Sequence, residues 1–344
     1  MRAATSGFTH VALLETAPMR ESLLEILAEP RTRAELKLRV TRHDGDVIEE
    51  GELVSEESGA KYPIHRGIPR FVPPNAYTDT FGKQWNLFRT TQLDSATGTG
   101  YSEHRFDSET GWSRDQLEGR RVLDAGCGAG RFAEVAASRG ARLVGLDMSS
   151  AVDAARDTLA RFPNAELVQG SLLEPPFKKG VFDLAYSIGV LQHTPDPPGG
   201  IRTVIDCVKR GGGFTFTIYA RKPWSKLNAK YLVRPLTRRL PSDVLLKGIE
   251  SVMPVVFPLM DKVFRLPKLG RLAQFMVPVA VYVDEKGFTD EQRYQEAILD
   301  TFDMLSPRYD SPMTWQEAER VLRTIEGTSW TFRSRVPLII NGVH

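Results

Sequence analysis

A short run near the middle of the chain has the residue types and the spacing needed to bind a nucleoside-bearing ligand. Asp124 ends the apolar stretch 122–123, and Gly126, Gly128 and Gly130 follow at alternate positions. Glycines let the backbone approach a ligand closely, and a helix beginning after Gly130 would offer unpaired N–H donors in its first turn. These residues therefore predict a loop that holds a nucleoside-bearing cofactor.

Two further residues narrow the class of ligand. The dinucleotide fingerprint has its third glycine three residues after the second, and Arg131 stands at that position. This spacing disfavours a dehydrogenase. Asp147 ends the next predicted strand, where a carboxylate can accept hydrogen bonds from both hydroxyls of a ribose. The alternative reading of Asp147 is a solvated loop acid.

The elements that must position these residues alternate between strands and helices from 121 to 217. The predicted strands cover 122–123, 143–146, 167–168, 182–188 and 214–218, and the predicted helices cover 132–138, 151–161 and 201–208. Strands alternating with helices pair in parallel through right-handed crossovers, which predicts a doubly wound α/β sheet. Ligands of such sheets bind outside the carboxyl ends of the strands.

The composition is that of a soluble globular protein and excludes several classes. The chain has 344 residues with 41% hydrophobic and 26% charged residues, and its formal net charge of +2 argues against a globally basic nucleic-acid binder. Cys127 and Cys207 are too few for a disulfide framework or a cysteine-rich zinc site, so no metal site is predicted. No signal peptide and no stretch of about 20 apolar residues is found. We therefore expect a cytoplasmic protein.

At the glycine loop and Asp147 the sequence resembles class I S-adenosylmethionine-dependent methyltransferases, in particular the type 11-like group. Three further stretches agree with that family: 169–172, the strand and loop 182–197 containing Ser-Ile-Gly-Val-Leu and His-Thr-Pro-Asp, and the glycines 211–213 before the fifth strand. The resemblance is strong over about 78–220 and looser at both ends. It implies a Rossmann-like seven-stranded sheet and S-adenosyl-L-methionine as the cofactor.

The resemblance also implies which residues contact the cofactor. Asp124 and the glycine loop would hold its amino-acid end, and Asp147 would hold the ribose. Ser171 stands where the family commonly has an aspartate that reads the adenine, so its uncharged hydroxyl would form a weaker bond. The implied cofactor contacts are Asp124, Gly126, Cys127, Gly128, Gly130, Asp147, Met148, Ser171, Leu172 and Ile188.

The segment before the α/β region has two distinct parts. Residues 1–75 are predicted to be strand-poor until Gly51. The later Tyr-Pro-Ile and Gly-Ile-Pro motifs resemble those of small zinc-ribbon modules that precede some methyltransferases. Every cysteine of such a module is missing here. We expect a ribbon-like module without metal, or a partly ordered one.

Residues 76–118 are rich in aromatic residues. Trp85 and Phe88 have the spacing of a helix that packs in the core. The alternative is a helical flap whose Arg105 pairs with a cofactor carboxylate.

The candidates for chemistry lie beyond the fourth and fifth strands. A sulfonium is an activated methyl donor, so the enzyme must chiefly align an acceptor and exclude water. His193 is the best-placed general base, and the alternative is a histidine that fixes its loop. Tyr219 can line the acceptor pocket or simply pack in the core. A polar cluster at 303–310, which includes Asp303 and Tyr309, can hold the acceptor or form a surface turn.

A long insertion is predicted between the SAM-binding core, 119–220, and the closing segment, 302–344. Within 221–301, the part from Arg221 to Arg271 holds twelve Lys or Arg against three acids, interleaved with an apolar run at 252–260. Such a segment can contact the inner surface of a membrane peripherally, or it can be a helical lid with a solvated basic side. RNA is a weaker choice, because no aromatic stacking platform accompanies the cations.

These observations predict a methyltransferase that acts on a small-molecule, glycan or lipid-type acceptor. The alternatives are an RNA methyltransferase and a non-catalytic scaffold that kept the fold, the latter suggested by the cysteine-free ribbon and Ser171. The sequence leaves open whether an oxygen, a nitrogen or a carbon receives the methyl group.

Overall fold

A computed structural model describes residues 19–72, 82, 88, 90–283 and 287–344. The predicted helix around Trp85 lies outside these residues. The strands are β1 (Leu36–Asp44), β2 (Val47–Ser55), β3 (Lys61–His65), β4 (Ile68–Pro69), β5 (Arg121–Ala125), β6 (Arg142–Asp147), β7 (Ala165–Gln169), β8 (Phe182–Ile188), β9 (Val208–Ile218), β10 (Ser329–Arg335) and β11 (Leu338–Val343).

The helices of the described residues flank two separate sheets. They are α1 (Glu21–Leu24), α2 (Asp94–Thr97), α3 (Tyr101–Thr110), α4 (Arg114–Leu117), α5 (Arg131–Ser138), α6 (Ala151–Leu159), α7 (Pro197–Cys207), α8 (Ala229–Thr237), α9 (Ser242–Phe264), α10 (Leu269–Met276), α11 (Asp290–Leu305) and α12 (Trp315–Leu322). Short 3-10 turns cover Leu191–His193 and Ser225–Leu227.

The large sheet has seven strands in the order β10-β11-β9-β8-β5-β6-β7. Strands β5 to β9 pair in parallel, and β11 runs antiparallel to both β9 and β10. The predicted doubly wound, Rossmann-like seven-stranded sheet is therefore confirmed. The chain reverses its direction of winding between β5 and β8, and a ligand crevice forms at such a switch point.

Helices cover both faces of this sheet because its central strands are apolar on both sides. Val122 and Leu123, consecutive residues of β5, are both fully buried and belong to different apolar clusters. The first cluster joins the sheet to α7, α12 and the N-terminal module, and the second joins it to α3, α5 and α6. Burial on both faces is the pattern of a parallel sheet. Because β5 to β9 run in the same direction, their carboxyl ends share one edge.

The N-terminal module is a four-stranded antiparallel sheet in the order β1-β2-β3-β4. The prediction that this part is strand-poor until Gly51 was wrong, since β1 and the first half of β2 precede that residue. Leu36, Leu38 and Val40 alternate with polar residues in the first half of β1, which is the pattern of a half-buried strand and was missed in the sequence. The module packs against β7 and α6: Phe71 N–H donates to Gln169 O at 2.7 Å, and Arg70 pairs with Asp153 at 2.9 Å.

The insertion after β9 is helical, as predicted, and consists of α8 to α11. Leu245, Leu246 and Ile249 of α9 pack against Ile298 and Phe302 of α11. No helix in the described part of the chain has the length and apolar content to cross a bilayer. The predicted boundary between 301 and 302 falls inside the continuous helix α11, so the insertion and the closing segment share that helix.

Candidate functional site

The glycine loop after β5 is shaped by backbone conformations that only glycine adopts readily. Gly126, Gly128 and Gly130 have φ of +97°, +52° and +90°. A Cβ added to Gly126 would lie 2.4 Å from Val190 Cγ1, which is far inside van der Waals contact. The loop is tied to β6, because the N–H groups of Gly126 and Cys127 both donate to Leu146 O, at 2.7 and 3.1 Å.

A cavity opens at the carboxyl ends of β5, β6 and β8, directly above this loop. Its volume is about 210 Å³, whereas one water molecule needs only about 10–15 Å³, so the cavity is large enough for an organic ligand. Most of the predicted cofactor residues line it together: Arg105, Gly126, Cys127, Gly128, Asp147, Met148, Ser171, Leu172 and Ile188.

Two predicted residues lie behind the cavity wall. Gly130 is the N-cap of α5 and packs against Thr158. Asp124 is 2% exposed and accepts a hydrogen bond from the Tyr186 hydroxyl at 3.0 Å. Burial, reinforced by the negative charge of Asp147, raises the pKa of Asp124 to about 8, against the hydrogen bond from Tyr186, which lowers it. Asp124 is thus neutral below that pH, and its contact with a cofactor stays a prediction.

Asp147 faces the cavity with a fixed carboxylate. Its Oδ1 accepts from the N–H and the hydroxyl of Ser149 at 2.8 and 2.7 Å, and its Oδ2 accepts from Gly128 N–H at 2.9 Å. Burial nevertheless raises the pKa of Asp147, and these hydrogen bonds oppose the rise. Each carboxylate oxygen can accept more than one donor, so the group retains capacity for the hydroxyls of a ligand.

Two arginines also line the cavity. Arg105 Nε donates to Glu109 Oε1 at 2.7 Å, so the carboxylate that it meets belongs to its own helix α3. Arg131 donates from Nε to Ser102 Oγ at 2.9 Å and from Nη1 to Gln92 Oε1 at 2.6 Å. Its Nη2 is buried without a hydrogen-bond partner among the described residues. Burial lowers the pKa of Arg131 to about 10, so it is still a cation at neutral pH.

A second part of the cavity lining, which we call the acceptor end, comes from the β8 loop, from the residue after β9 and from the insertion. His193 Nδ1 lies 3.2 Å from the backbone oxygen of Tyr309. In the tautomer that carries its proton on Nδ1, the ring N–H donates to this oxygen. The ring of Tyr219 meets His193 edge to face, with 5.6 Å between centroids. Asp300 and Asp303 of α11 and Tyr282 complete this end, and the Tyr282 hydroxyl donates to Asp300. Both predicted catalytic candidates, His193 and Tyr219, therefore line the cavity that holds the glycine loop.

Asp300, at the acceptor end of the cavity, has a pKa near neutral pH. Burial is the main cause that raises its pKa, to about 7, and the charge of Asp303 adds to the rise. The positive charges of Arg131 and Arg105 act in the opposite direction. A carboxyl with this pKa can accept a proton under physiological conditions.

Sequence reasoning missed several lining residues. Gln92, Tyr101 and Tyr282 carry no motif that would have identified them. Arg131 was considered only as a break in the dinucleotide spacing. Asp300 had one usable signal, since Asp303 follows it by three residues and both therefore lie on one side of α11. The polar cluster at 303–310 divides: Asp303 lines the cavity, whereas Asp310 pairs with Lys230 at 2.8 Å.

Comparison with known proteins agrees with this geometry. Residues 123–216 match the family model described as "Methyltransferase domain", and residues 20–67 match the model described as "Trm112p-like protein". The first region is a class I methyltransferase domain of the type that uses S-adenosylmethionine, which confirms the predicted resemblance and the predicted cofactor of the domain.

Individual relatives are similar over the core alone. Ubiquinone biosynthesis O-methyltransferases from Alkalilimnicola ehrlichii and Pseudomonas entomophila are 34% and 33% identical over 36% of this chain and over 52% and 57% of their own lengths. The chain thus spans about half the length of these curated relatives. A solved S-adenosylmethionine-dependent methyltransferase from Mesorhizobium loti is 31% identical over 30% of this chain and 49% of its own, with a TM-score of 0.26.

Proposed function

We propose that this protein transfers a methyl group from S-adenosyl-L-methionine to a hydroxyl of a small-molecule acceptor. One observation carries the proposal: a single cavity is lined by the glycine loop and Asp147 and also by His193 and Asp300. A donor site and candidate proton acceptors thus share one cavity. The curated relatives are ubiquinone biosynthesis O-methyltransferases, which supports the choice of oxygen.

The residues of the donor end fit the cofactor by their chemistry. Gly126 lies against Val190, where a side chain would clash, so the loop can come this close only as bare backbone. Asp147 presents acceptors suited to ribose hydroxyls. Ser171 and Leu172 would contact the adenine, with Met148 beside it. The guanidinium groups of Arg105 and Arg131 would bind the carboxylate of the amino-acid end. When bound, the cofactor supplies an electrophilic methyl group.

The acceptor end supports proton removal from a hydroxyl. His193 is held by the Tyr309 carbonyl through Nδ1, which leaves Nε2 as the acceptor nitrogen of the ring in that tautomer. Asp300 has a pKa of about 7 and is oriented by the Tyr282 hydroxyl. Either group can take the hydroxyl proton as the oxygen gains its methyl group. Tyr219 packs against His193 and restricts its ring.

The acceptor itself is proposed as a class. Three carboxyl groups, three hydroxyl-bearing aromatics and a histidine line the cavity along with apolar side chains. This lining suits a hydroxylated ring or chain with an apolar body, which includes small metabolites, glycans and lipid-type molecules.

Binding of the cofactor is the first test. Calorimetry with S-adenosylmethionine should show binding by the wild-type protein and strongly reduced binding by Asp147→Asn, because the amide presents fewer acceptors to the ribose. Asp206→Asn is the matched control, since Asp206 pairs with Lys179 on the surface. Absence of wild-type binding at millimolar ligand would refute the proposal.

Transfer is tested next. The protein and cofactor bearing an isotopically labelled methyl group are added to a cell extract, and metabolites and lipids are searched by mass spectrometry for the label. We expect a labelled ether in the wild-type reaction and none with Asp147→Asn. A label found on nitrogen or carbon would refute O-methylation, and a label found on RNA would replace the small-molecule class.

A further inference from the structure

The insertion presents a large apolar surface to solvent. We name it the outer helical face; it consists of side chains on α8, α9 and α10. Two of its members, Leu232 and Val255, are each 71% exposed. Its members are Leu232, Leu236, Val252, Val255, Leu259, Leu269, Leu272 and Met276. Isolated exposed apolar residues are normal, but a group this large marks an interaction surface.

These residues follow helical spacing, so they form continuous stripes. Positions 252, 255 and 259 of α9 are three and four residues apart, and so are positions 269, 272 and 276 of α10. The other side of α9 is already occupied, because Leu245, Ile249 and Met253 are buried against α11. Helix α9 is therefore apolar on two sides, and the packing of this chain accounts for only one of them.

Positive charge surrounds the stripes. Between Arg221 and Arg271 the chain has twelve Lys or Arg and three acids, and Asp261, one of those acids, is engaged by Arg265 and Arg293. Lys247, Lys262 and Arg271 are exposed on the helices that carry the stripes, and Lys268 is exposed in the turn between them. Apolar side chains beside exposed cations are complementary to an anionic bilayer, whose acyl chains are apolar and whose headgroups carry negative charge.

We propose that the outer helical face binds peripherally to an anionic membrane, with α9 and α10 in the plane of the headgroups. A second copy of this chain is a poorer occupant, because two faces of the same positive charge repel each other. An RNA backbone matches the charge but not the aliphatic stripes, which offer no flat ring for base stacking. This proposal goes beyond the proposed methyl transfer and does not depend on it.

The surface lies one helix away from the cavity. Helix α11 packs against α9 through Ile298 and Phe302, while its Asp300 and Asp303 line the cavity. A membrane bound at the outer helical face would therefore be adjacent to the acceptor end of the site. An acceptor that partitions into the bilayer would be concentrated there.

The test is sedimentation of the full-length protein with lipid vesicles. We expect binding to vesicles that contain about one third phosphatidylglycerol, little binding to pure phosphatidylcholine, and weaker binding as salt rises. The double variant Val255→Asp/Leu259→Asp should lose affinity about tenfold or more, because both apolar side chains leave the interface. Replacing Lys262 and Lys268 by glutamine should weaken binding by about fivefold per residue on anionic vesicles only.

The control variant is Val336→Asp, an equally drastic change at a 59% exposed valine in the turn between β10 and β11. It should bind vesicles like the wild type. Absence of wild-type binding to anionic vesicles, or equal binding by the double variant, would overturn the proposal. Dissociation of a dimer by the double variant with unchanged vesicle binding would assign the face to a second copy instead. Calorimetry with S-adenosylmethionine on the same variants reports separately on the proposed function.

Discussion

Replacing Asp124 by asparagine should change how the stability of this protein depends on pH. Asp124 is buried under the glycine loop and bonded to Tyr186, and burial raises its pKa from 3.8 to about 8. The folded state therefore binds the proton more tightly than the unfolded state does. The resulting stability is complete below the unfolded pKa and is lost as the pH rises through the folded pKa.

The size of the effect follows from the same values. Between these two pKa values the folded state holds about one proton more than the unfolded state, so the free energy of unfolding falls by about 1.4 kcal/mol per pH unit. From about pH 5 to about pH 7 the loss attributable to Asp124 is about 3 kcal/mol. Asparagine is close in shape and can still accept from the Tyr186 hydroxyl, but it does not titrate.

Urea denaturation of the wild type and Asp124→Asn at about pH 5 and pH 7, at constant ionic strength and without cofactor, measures this difference. We expect the wild type to lose more stability than the variant over that interval. Asp206→Asn, at a surface acid paired with Lys179, should keep the wild-type slope. Equal slopes in the wild type and Asp124→Asn would refute the assignment of a buried, proton-holding Asp124.

Three further changes test the site and its supports. Gly126→Ala should abolish cofactor binding in calorimetry and destabilise the fold by about 1–3 kcal/mol, since its φ is +97° and the new Cβ would meet Val190; wild-type affinity would contradict this. In a methyl-transfer assay, activity should rise with pH through about 7 as Asp300 loses its proton. Asp300→Asn should remove that rise. An unchanged pH profile in the variant would assign the role of base to His193 instead. Thr314→Ala should lower the free energy of unfolding by about 1 kcal/mol in urea titrations without altering cofactor affinity, because it breaks the capping box with Glu317 outside the cavity.

Much of the core sheet could be predicted because its signals are local. Strands β5, β6 and β7 are short apolar runs separated by amphipathic helices, and the glycines of the loop after β5 each adopt positive φ. The capping box of Thr314 and Glu317 is likewise a local signal, because it depends on two residues at fixed spacing. Strand β1 also carries a local signal, since Leu36, Leu38 and Val40 alternate with polar residues, but the sequence prediction missed it.

The acceptor end shows the limit of local signals. Its residues come from the β8 loop, from the residue after β9 and from α11, whose Asp300 lies about 170 residues beyond the glycine loop in the sequence. Helix α11 is held in place by apolar contacts with α9. Contacts of this kind have no recognisable sequence motif. For the same reason the sequence shows Arg131 only as a break in the dinucleotide spacing. In the structure Arg131 is buried, donates to Gln92 and Ser102, and lines the cavity.

The sequence by itself determined the donor half of this protein: a glycine loop and a strand-ending acid at the carboxyl edge of a doubly wound sheet, because backbone conformation and strand order follow from residue type and periodicity. Only the tertiary structure decided that Asp124 is buried behind that loop against Tyr186, that Asp300 lines the same cavity as His193, and that the insertion leaves apolar side chains exposed. Each of these depends on what surrounds a side chain, and burial is a property of the packed chain rather than of any residue within it.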